Sequence, residues 1–307
     1  MLGHKAGQQS GDVFAALVNL LLAITSNYYV GQSLDKVLQS IRDFIIKIGD
    51  QKIFLSHAVP FLSQIMVLRD GPDADGLPSV NDILADPRSG PSISAYGKVH
   101  RLIRAFHFRQ MFDATLHIGI SDAIAESSRL LKPDFIMGYF FEGLASFQLA
   151  RLNNKSANWI ERGRSSLERL RHWSECSSWN WENKLLLLEA EDMYTEGLFV
   201  LAESLYDSAI QSAHEHKFIH EEAIACELAG TFYHERGFHQ TSYPYFVHSI
   251  KSYNQWGAFA VARRVETFVK VNFRNHDIDQ LVSASSSAEN SLDYLFASSQ
   301  GSKRRSE

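Results

Sequence analysis

The chain has 307 residues, with 30 Lys and Arg against 35 Asp and Glu, and its formal net charge is −5. This acidic balance argues against general nucleic-acid binding, which favours a basic stripe. Apolar residues make up 45% of the chain, which excludes global disorder. Two cysteines, Cys176 and Cys226, cannot form a disulfide framework and so indicate a reducing compartment.

No basic segment followed by an apolar core and a cleavage site marks a secretory signal. The longest apolar run, from Ala15 to Ile24, is interrupted by Asn19 and is too short to span a bilayer, so we interpret it as a buried helix. We therefore expect a cytoplasmic protein that does not bind membranes.

The N-terminal part predicts helical repeats over residues 11–69, after a flexible start at residues 1–10. We expect a helix to open at Gly11-Asp12 and to stop at Gly31, with Ser33 capping the next helix. That second helix carries an apolar stripe at helical spacing. The stripe consists of Leu34, Val37, Leu38, Ile41, Phe44, Ile45 and Ile48.

A third helix is expected from Lys52 to Leu68, where Pro60 should kink or delay it. Residues 70–94 are rich in Gly, Pro, Asp and Ser, which predicts a loop or linker. It either separates two domains or is an insertion in one helical array, which we favour. The helices expected next run from Tyr96 to Phe112, Ile118 to Leu131, Phe135 to Leu152 and Ala157 to Cys176.

Residues 183–258 contain two copies of one helix pair, displaced by forty positions. In the first copy, the apolar residues of the second helix recur at alternating steps of three and one, which lays them along one side of a helix. Gly197 and Gly237 lie where the first helix of each pair must end. Small residues face each other where the two helices approach, at Ala190 and Ala202 and again at Gly230 and Ser242.

This alternation of small and large residues is typical of tetratricopeptide-type repeats, lengthened from their usual period of about 34 residues. The alternative is two unrelated amphipathic hairpins. We predict an all-α fold, a superhelical array of tetratricopeptide-like hairpins over residues 95–274, followed by a serine-rich and mostly disordered tail over residues 275–307. The predicted repeat core is Leu186, Ala190, Met193, Gly197, Ala202, Leu205, Tyr206, Ala209, Ile210, Gly230, Tyr233, Gly237, Ser242, Phe246, Ser249, Ile250, Tyr253 and Trp256.

A search for catalytic motifs finds no phosphate-binding glycine loop, no protein-kinase motif and no HExxH. His216 and His220 have the spacing of two metal ligands on one helix, with His214 nearby, but they flank Phe218, where we expect a break between helices. We therefore interpret them as a solvated turn. No catalytic, cofactor-binding or metal-binding residue is assigned.

Three further groups receive structural interpretations. Of the carboxylates Glu189, Glu191 and Asp192, at least two should face solvent or pair with basic residues of a neighbouring helix. Cys226 is expected to be buried on the apolar stripe. Three tryptophans are expected to fill the gap between repeats. They are Trp173, Trp179 and Trp181.

Three segments resemble the helical-repeat region of very large multidomain signalling kinases of bacteria and fungi. They are NKLLLLEAED at 183–192, the run at 202–237 and YNQWGAFA at 253–260. In that family, kinase-like and AAA-type ATPase domains come before the repeats, and GAF sensor and histidine-kinase domains follow them. The chain departs from the family at Ser177-Ser178-Trp179, where a proline is usual, and it lacks every catalytic portion.

The resemblance implies a non-catalytic scaffold that links ATPase and sensor modules, as a fragment of a larger protein, with those protein modules as its partners. A free-standing adaptor that binds a peptide is the alternative. It requires Asn, Lys or Arg side chains to converge on the first helices of successive pairs. Less favoured are a helical enzyme, which requires a deep pocket with paired carboxylates, and the sensor arm of an ATPase-type transcription activator.

Overall fold

The computed structural model describes residues 11–72, 91–119 and 133–273, together with the single positions 5, 7 and 9. These residues contain twelve α-helices and no β-strand, which confirms the all-α prediction. The helices are α1 Val13–Tyr29, α2 Leu34–Ile48, α3 Lys52–Asp70, α4 Pro91–His107, α5 Met111–Thr115, α6 Pro133–Leu152, α7 Ala157–Cys176, α8 Ser178–Glu196, α9 Phe199–Glu215, α10 Ile219–Glu235, α11 His239–Trp256 and α12 Phe259–Asn272.

The chain divides into two compact units. The first unit comprises residues 1–170 and 256–260, and the second unit comprises residues 171–255 and 261–307. Four predictions lie mostly or wholly outside the described residues. They are the flexible start at residues 1–10, the helix from Ile118 to Leu131, the loop over residues 70–94 and the disordered tail over residues 275–307.

In the first unit, α1 begins where the sequence predicts. The side chain of Asp12 accepts a hydrogen bond of 2.9 Å from the backbone N of Ala15, and Gly31 has a positive φ of 79° just beyond the end of the helix. Ser33 occupies the predicted N-cap position of α2, although its side chain makes no capping bond. The predicted stripe of α2 is buried except for the half-buried Ile45.

Two other predictions for this unit need correction. The run from Ala15 to Ile24 is buried on one side only, and Leu22 is 37% exposed. Pro60 lies inside α3 without delaying or interrupting it.

The helix predicted from Tyr96 to Phe112 instead begins at Pro91 and ends at His107. Proline favours the first turn of a helix, because its missing N–H has no partner there. The helix ends early because Arg109 adopts a left-handed conformation with φ of 57°, and the backbone N of Gln110 then bonds to the carbonyl of Ala105 at 2.8 Å. Arginine gives no sequence signal for this conformation.

A buried polar network joins α1, α3, α4 and α6. Gln64 Nε2 donates to Tyr28 Oη at 2.5 Å, and His100 Nδ1 donates to Gln64 Oε1. Tyr29 Oη donates to Asp134 Oδ1 at 2.7 Å, and His100 Nε2 lies 3.9 Å from the same oxygen. Burial lowers the pKa of His100 to about 3, with smaller contributions from Arg104 and His57, so the ring is neutral.

The C-terminal helices are joined by turns that recur every twenty residues. Each turn contains one residue with positive φ: Gly197 (90°), Lys217 (62°), Gly237 (81°) and Gly257 (98°). At the first three turns the following backbone N–H bonds to the carbonyl five residues earlier at 2.9 Å, in the pairs Leu198 to Met193, Phe218 to Ala213 and Phe238 to Tyr233. The predicted helix ends at Gly197 and Gly237 are confirmed, and Lys217 provides an equivalent turn between them.

The turns predict opposite effects for two exposed substitutions. Lys217→Gly should raise the free energy of unfolding by roughly 0.5 kcal/mol, because glycine adopts positive φ without a Cβ clash. Gly237→Ala should lower the free energy of unfolding by about 1 kcal/mol. This cost comes only from the strained backbone conformation, since an added Cβ meets nothing within 4 Å. Urea unfolding measures both, and equal signs would contradict this account of the turns.

The neutral His100 predicts a pH dependence. Its pKa is lower in the folded chain than the ordinary value of 6.5, so the unfolded chain binds more protons and the folded state loses stability as the pH falls below 6.5. The loss should approach about 1.4 kcal/mol per pH unit. Urea unfolding between about pH 7 and pH 5 should show a shallower dependence for His100→Asn than for the native chain, whereas the exposed His172→Asn should keep the native slope.

Candidate functional site

The predicted repeat core is mostly buried. Its buried members are Ala190, Ala202, Tyr206, Ala209, Ile210, Gly230, Tyr233, Ser242, Phe246, Ser249, Tyr253 and Trp256. Leu186, Met193, Gly197, Leu205 and Ile250 are half-buried, and Gly237 is exposed. At Gly230 an added Cβ would lie 3.1 Å from the ring of Phe246, so α10 and α11 approach each other closely at this small residue.

Helix α10 is the most enclosed helix of the second unit, since every residue from His220 to Gly230 is buried. The buried set includes three glutamates. Glu221 accepts hydrogen bonds from Lys184 Nζ at 2.7 Å and Asn183 Nδ2 at 2.5 Å, both on α8. Burial by itself would raise the pKa of Glu221, but the charges of Lys184 and His220 outweigh it and hold the pKa at about 2.

The other two glutamates are directed at different helices. Glu222 accepts from His248 Nε2 on α11 and from His214 Nδ1 on α9, the latter at 3.1 Å, and these bonds keep its pKa below the ordinary value despite burial. Glu227 accepts from Tyr253 Oη on α11 at 3.0 Å and from Arg264 Nη2 on α12 at 2.6 Å. The three carboxylates therefore connect α10 to α8, α9, α11 and α12.

The predicted histidine turn is partly corrected. The break at Phe218 is confirmed, since α9 ends at Glu215 and α10 begins at Ile219. His214 is exposed and His216 packs against Trp179 with tilted rings whose centroids are 4.2 Å apart, but His220 is buried, with Nε2 3.3 Å from Glu221 Oε1. No group of three His, Cys, Asp or Glu residues in the described parts of the chain could hold a metal ion.

The predictions for the carboxylates Glu189, Glu191 and Asp192 are also met only in part. Glu189 pairs with Arg171 at 3.0 Å, as predicted, but Glu191 and Asp192 are buried and do not face solvent. Tyr206 donates to Glu191 at 2.6 Å. The sequence could not show this, because the partner lies on the next helix.

Of the tryptophans, Trp173 and Trp181 pack together with ring centroids 5.4 Å apart, whereas Trp179 is 60% exposed, against the prediction. Cys226 is fully buried and burial raises the pKa of its thiol, so the structural interpretation is confirmed.

Two polar cavities lie within the first unit. One, of about 200 Å³, is lined in part by Arg101, Arg104 and His117. The other, of about 290 Å³, is lined by Tyr139, Glu142, Asn158, Glu161, Arg162, Ser165 and Ser166. Glu142 accepts from Arg162 at 2.6 Å and from the backbone N of Gly119 at 3.2 Å. One of the two lining carboxylates is thus already engaged by an arginine and a backbone N–H.

The peptide-binding alternative requires converging Asn, Lys or Arg side chains on the first helices of successive pairs. Asn183 and Lys184 do converge on α8, but they converge on Glu221 of the chain itself, and all three side chains are buried. This pair is therefore occupied by an internal carboxylate.

A cluster of exposed apolar side chains lies at the other end of these helices, and we call it the apolar end. It consists of Leu198, Phe199, Val200, Leu201 and Phe238, which are 49%, 38%, 75%, 54% and 41% exposed. The guanidinium of Arg236 lies 4.3 Å from the ring centroid of Phe199 and 4.9 Å from that of Phe238, and it pairs with Glu203 at 2.9 Å. Contiguous exposed apolar side chains of this kind mark protein-binding sites.

The apolar end was missed in the sequence, although a signal exists. Four consecutive apolar residues begin α9, and four consecutive helical positions cannot all face one core. Some of them must be exposed or must contact another protein.

Comparisons with family models, with curated proteins and with solved structures find no match to this chain. Within its described parts, none of the helices has both the length and the apolar character needed to cross a bilayer.

The Lys184–Glu221 pair predicts a non-additive stability cost. Lys184→Met and Glu221→Met should each lower the free energy of unfolding by about 3–5 kcal/mol, because each leaves a buried charge without its partner. The double variant should cost less than either single change.

The half-exposed pair Arg171 and Glu189 supplies the control. Replacing both with Met should lower the free energy of unfolding by less than about 1 kcal/mol, and the costs of the two single changes should add up to the cost of the double change. Urea unfolding of each variant measures these costs, and additive costs at Lys184 and Glu221 would contradict the ion-pair account.

Proposed function

We propose that this chain is a non-catalytic helical-repeat scaffold that binds another protein through the apolar end. The observation that carries this proposal is the contrast between the two surfaces of the second unit. The carboxylates of α10 have partners inside the chain, whereas the five large side chains of the apolar end remain exposed, and two of them, Phe199 and Phe238, are held by Arg236. A protein partner that covered them would gain hydrophobic free energy at little cost in ordering.

The scaffold is further proposed to be a tetratricopeptide-like superhelical array. Turns at intervals of twenty residues and the close approach of α10 to α11 at Gly230 support this architecture. Helices joined by equivalent turns bury their apolar stripes against their neighbours along the chain.

The resemblance to multidomain signalling kinases supplies the biological context of the proposal. In that context the partners are the adjacent ATPase and sensor modules, and the scaffold sets their separation. A free-standing adaptor is the alternative, and the apolar end would serve it equally well. A peptide clamp at Asn183 and Lys184 is less favoured, because Glu221 occupies it.

The proposal is tested first at the transcript. Sequencing across both ends of the reading frame should find ATPase sequence upstream and sensor-kinase sequence downstream. A transcript that stops at Met1 and Glu307 would contradict the linking role and leave the adaptor.

The second step measures binding of the full chain to each module so identified, by calorimetry. Val200→Asp with Leu201→Asp should weaken binding at least tenfold, or about 1.4 kcal/mol, because charges would enter the buried centre of an interface. Ile46→Asp replaces a residue outside the apolar end that is 80% exposed, and it should leave the affinity unchanged. Equal affinities for all variants would rule out the apolar end as the binding site.

A further inference from the structure

The described chain ends beside the start of α11, the helix that follows Phe238 in the sequence. Phe273 follows α12, is buried, and packs against Tyr243 and His234, with ring centroids 5.5 Å and 5.3 Å away. Its ring is also 6.1 Å from that of His239, the residue that directly follows Phe238. The chain beyond Phe273 therefore starts beside the first residue of α11, in the same unit as the apolar end.

The sequence beyond Phe273 contains a segment suited to this surface. In residues 291–297, SLDYLFA, the residues Leu292, Leu295 and Phe296 have spacings of three and one, which place them on one side of a helix. Amphipathic helices bind apolar surfaces with anchors at this spacing. The intervening residues span at most about 60 Å when extended, ample to return to the second unit.

We propose that residues 291–297 of the same chain bind to the apolar end and cover it until a partner module displaces them. The inference rests on the proposed function, since it assigns the regulation of the same surface. Leu292, Leu295 and Phe296 are the anchors, and they contact Phe199, Val200 and Phe238. A short tether gives such a segment a millimolar effective concentration, so even weak contacts keep the surface covered.

Another segment of the tail has the same spacing but is less suited to the surface. Ile278, Leu281 and Val282 are also three and one apart, but they include no aromatic side chain. The apolar end presents two phenylalanine rings, and aromatic side chains bury the largest areas and pair favourably with one another. This difference favours residues 291–297 and makes residues 278–282 a matched control.

The experiment measures distances between spin labels in the full chain. Cys176→Ser removes the exposed thiol, whereas Cys226 is buried and stays unlabelled. Labels at Ser204→Cys, an exposed position one turn beyond Val200 on α9, and at Tyr294→Cys leave the anchors and the side chains they contact intact and should give one short, narrow distance. A second pair at Trp179→Cys and Tyr294→Cys should give a longer distance, because position 179 lies about 27 Å along α8 from Gly197.

Variants of the tail identify the contact. Leu295→Asp with Phe296→Asp should replace the short distance by a broad distribution, and Leu281→Asp with Val282→Asp should leave it unchanged. A broad distribution in the chain that carries only the labels would overturn the proposal. A short distance that disappears when labelled protein is diluted with unlabelled protein would overturn it too, because a second copy would then occupy the surface.

The result is separable from the test of the proposed function. The distance in the chain alone needs no partner, so a short distance without any partner binding would contradict the scaffold role while leaving the internal contact intact. Partner binding without a short distance would contradict the internal contact while leaving the scaffold role intact. When both hold, adding the partner module should lengthen the distance.

Discussion

The second unit depends on the satisfaction of three buried carboxylates on one helix. A buried glutamate is tolerated only when charge or hydrogen bonds compensate for lost hydration. Glu221, Glu222 and Glu227 obtain this compensation from four neighbouring helices. The position of α10 among its neighbours is thus defined by directional contacts, in addition to the non-directional burial of its alanines.

The first unit has the same kind of interior built from different groups. Its core contains a neutral histidine, a glutamine amide, tyrosine hydroxyls and the carboxylate of Asp134, and their hydrogen bonds link side chains that are distant in sequence. Both interiors are closed to solvent. The second unit also carries the exposed side chains of the apolar end, and the proposed binding role rests on them.

Local features of the fold could be predicted from the sequence. Helix α7 has the predicted bounds and α1 begins at the predicted cap, because capping residues and helical periodicity act over a few positions. The errors come from residues whose type carries no information about their backbone. Arg109 and Lys217 both adopt positive φ: Arg109 ends one helix early, and Lys217 forms the turn beside Phe218 without the glycine found at the other turns.

The candidate site was less predictable for a related reason. Glu221 and Glu222 are adjacent in sequence, but one is directed at α8 and the other at α9 and α11. The sequence therefore predicts a solvated turn at these histidines, even though His220 is buried. Exposure of the apolar end depends on which helices are neighbours, and local spacing cannot supply that information.

The pairing of Lys184 with Glu221 also constrains how this chain can evolve. An apolar pair at the two positions could be as stable as the ion pair, but a lineage would have to change one residue before the other. Each intermediate holds an isolated charge in the interior, and its stability would fall by a large fraction of that of a typical domain. Lys184 and Glu221 should therefore persist or change together, even if their net contribution to stability is small.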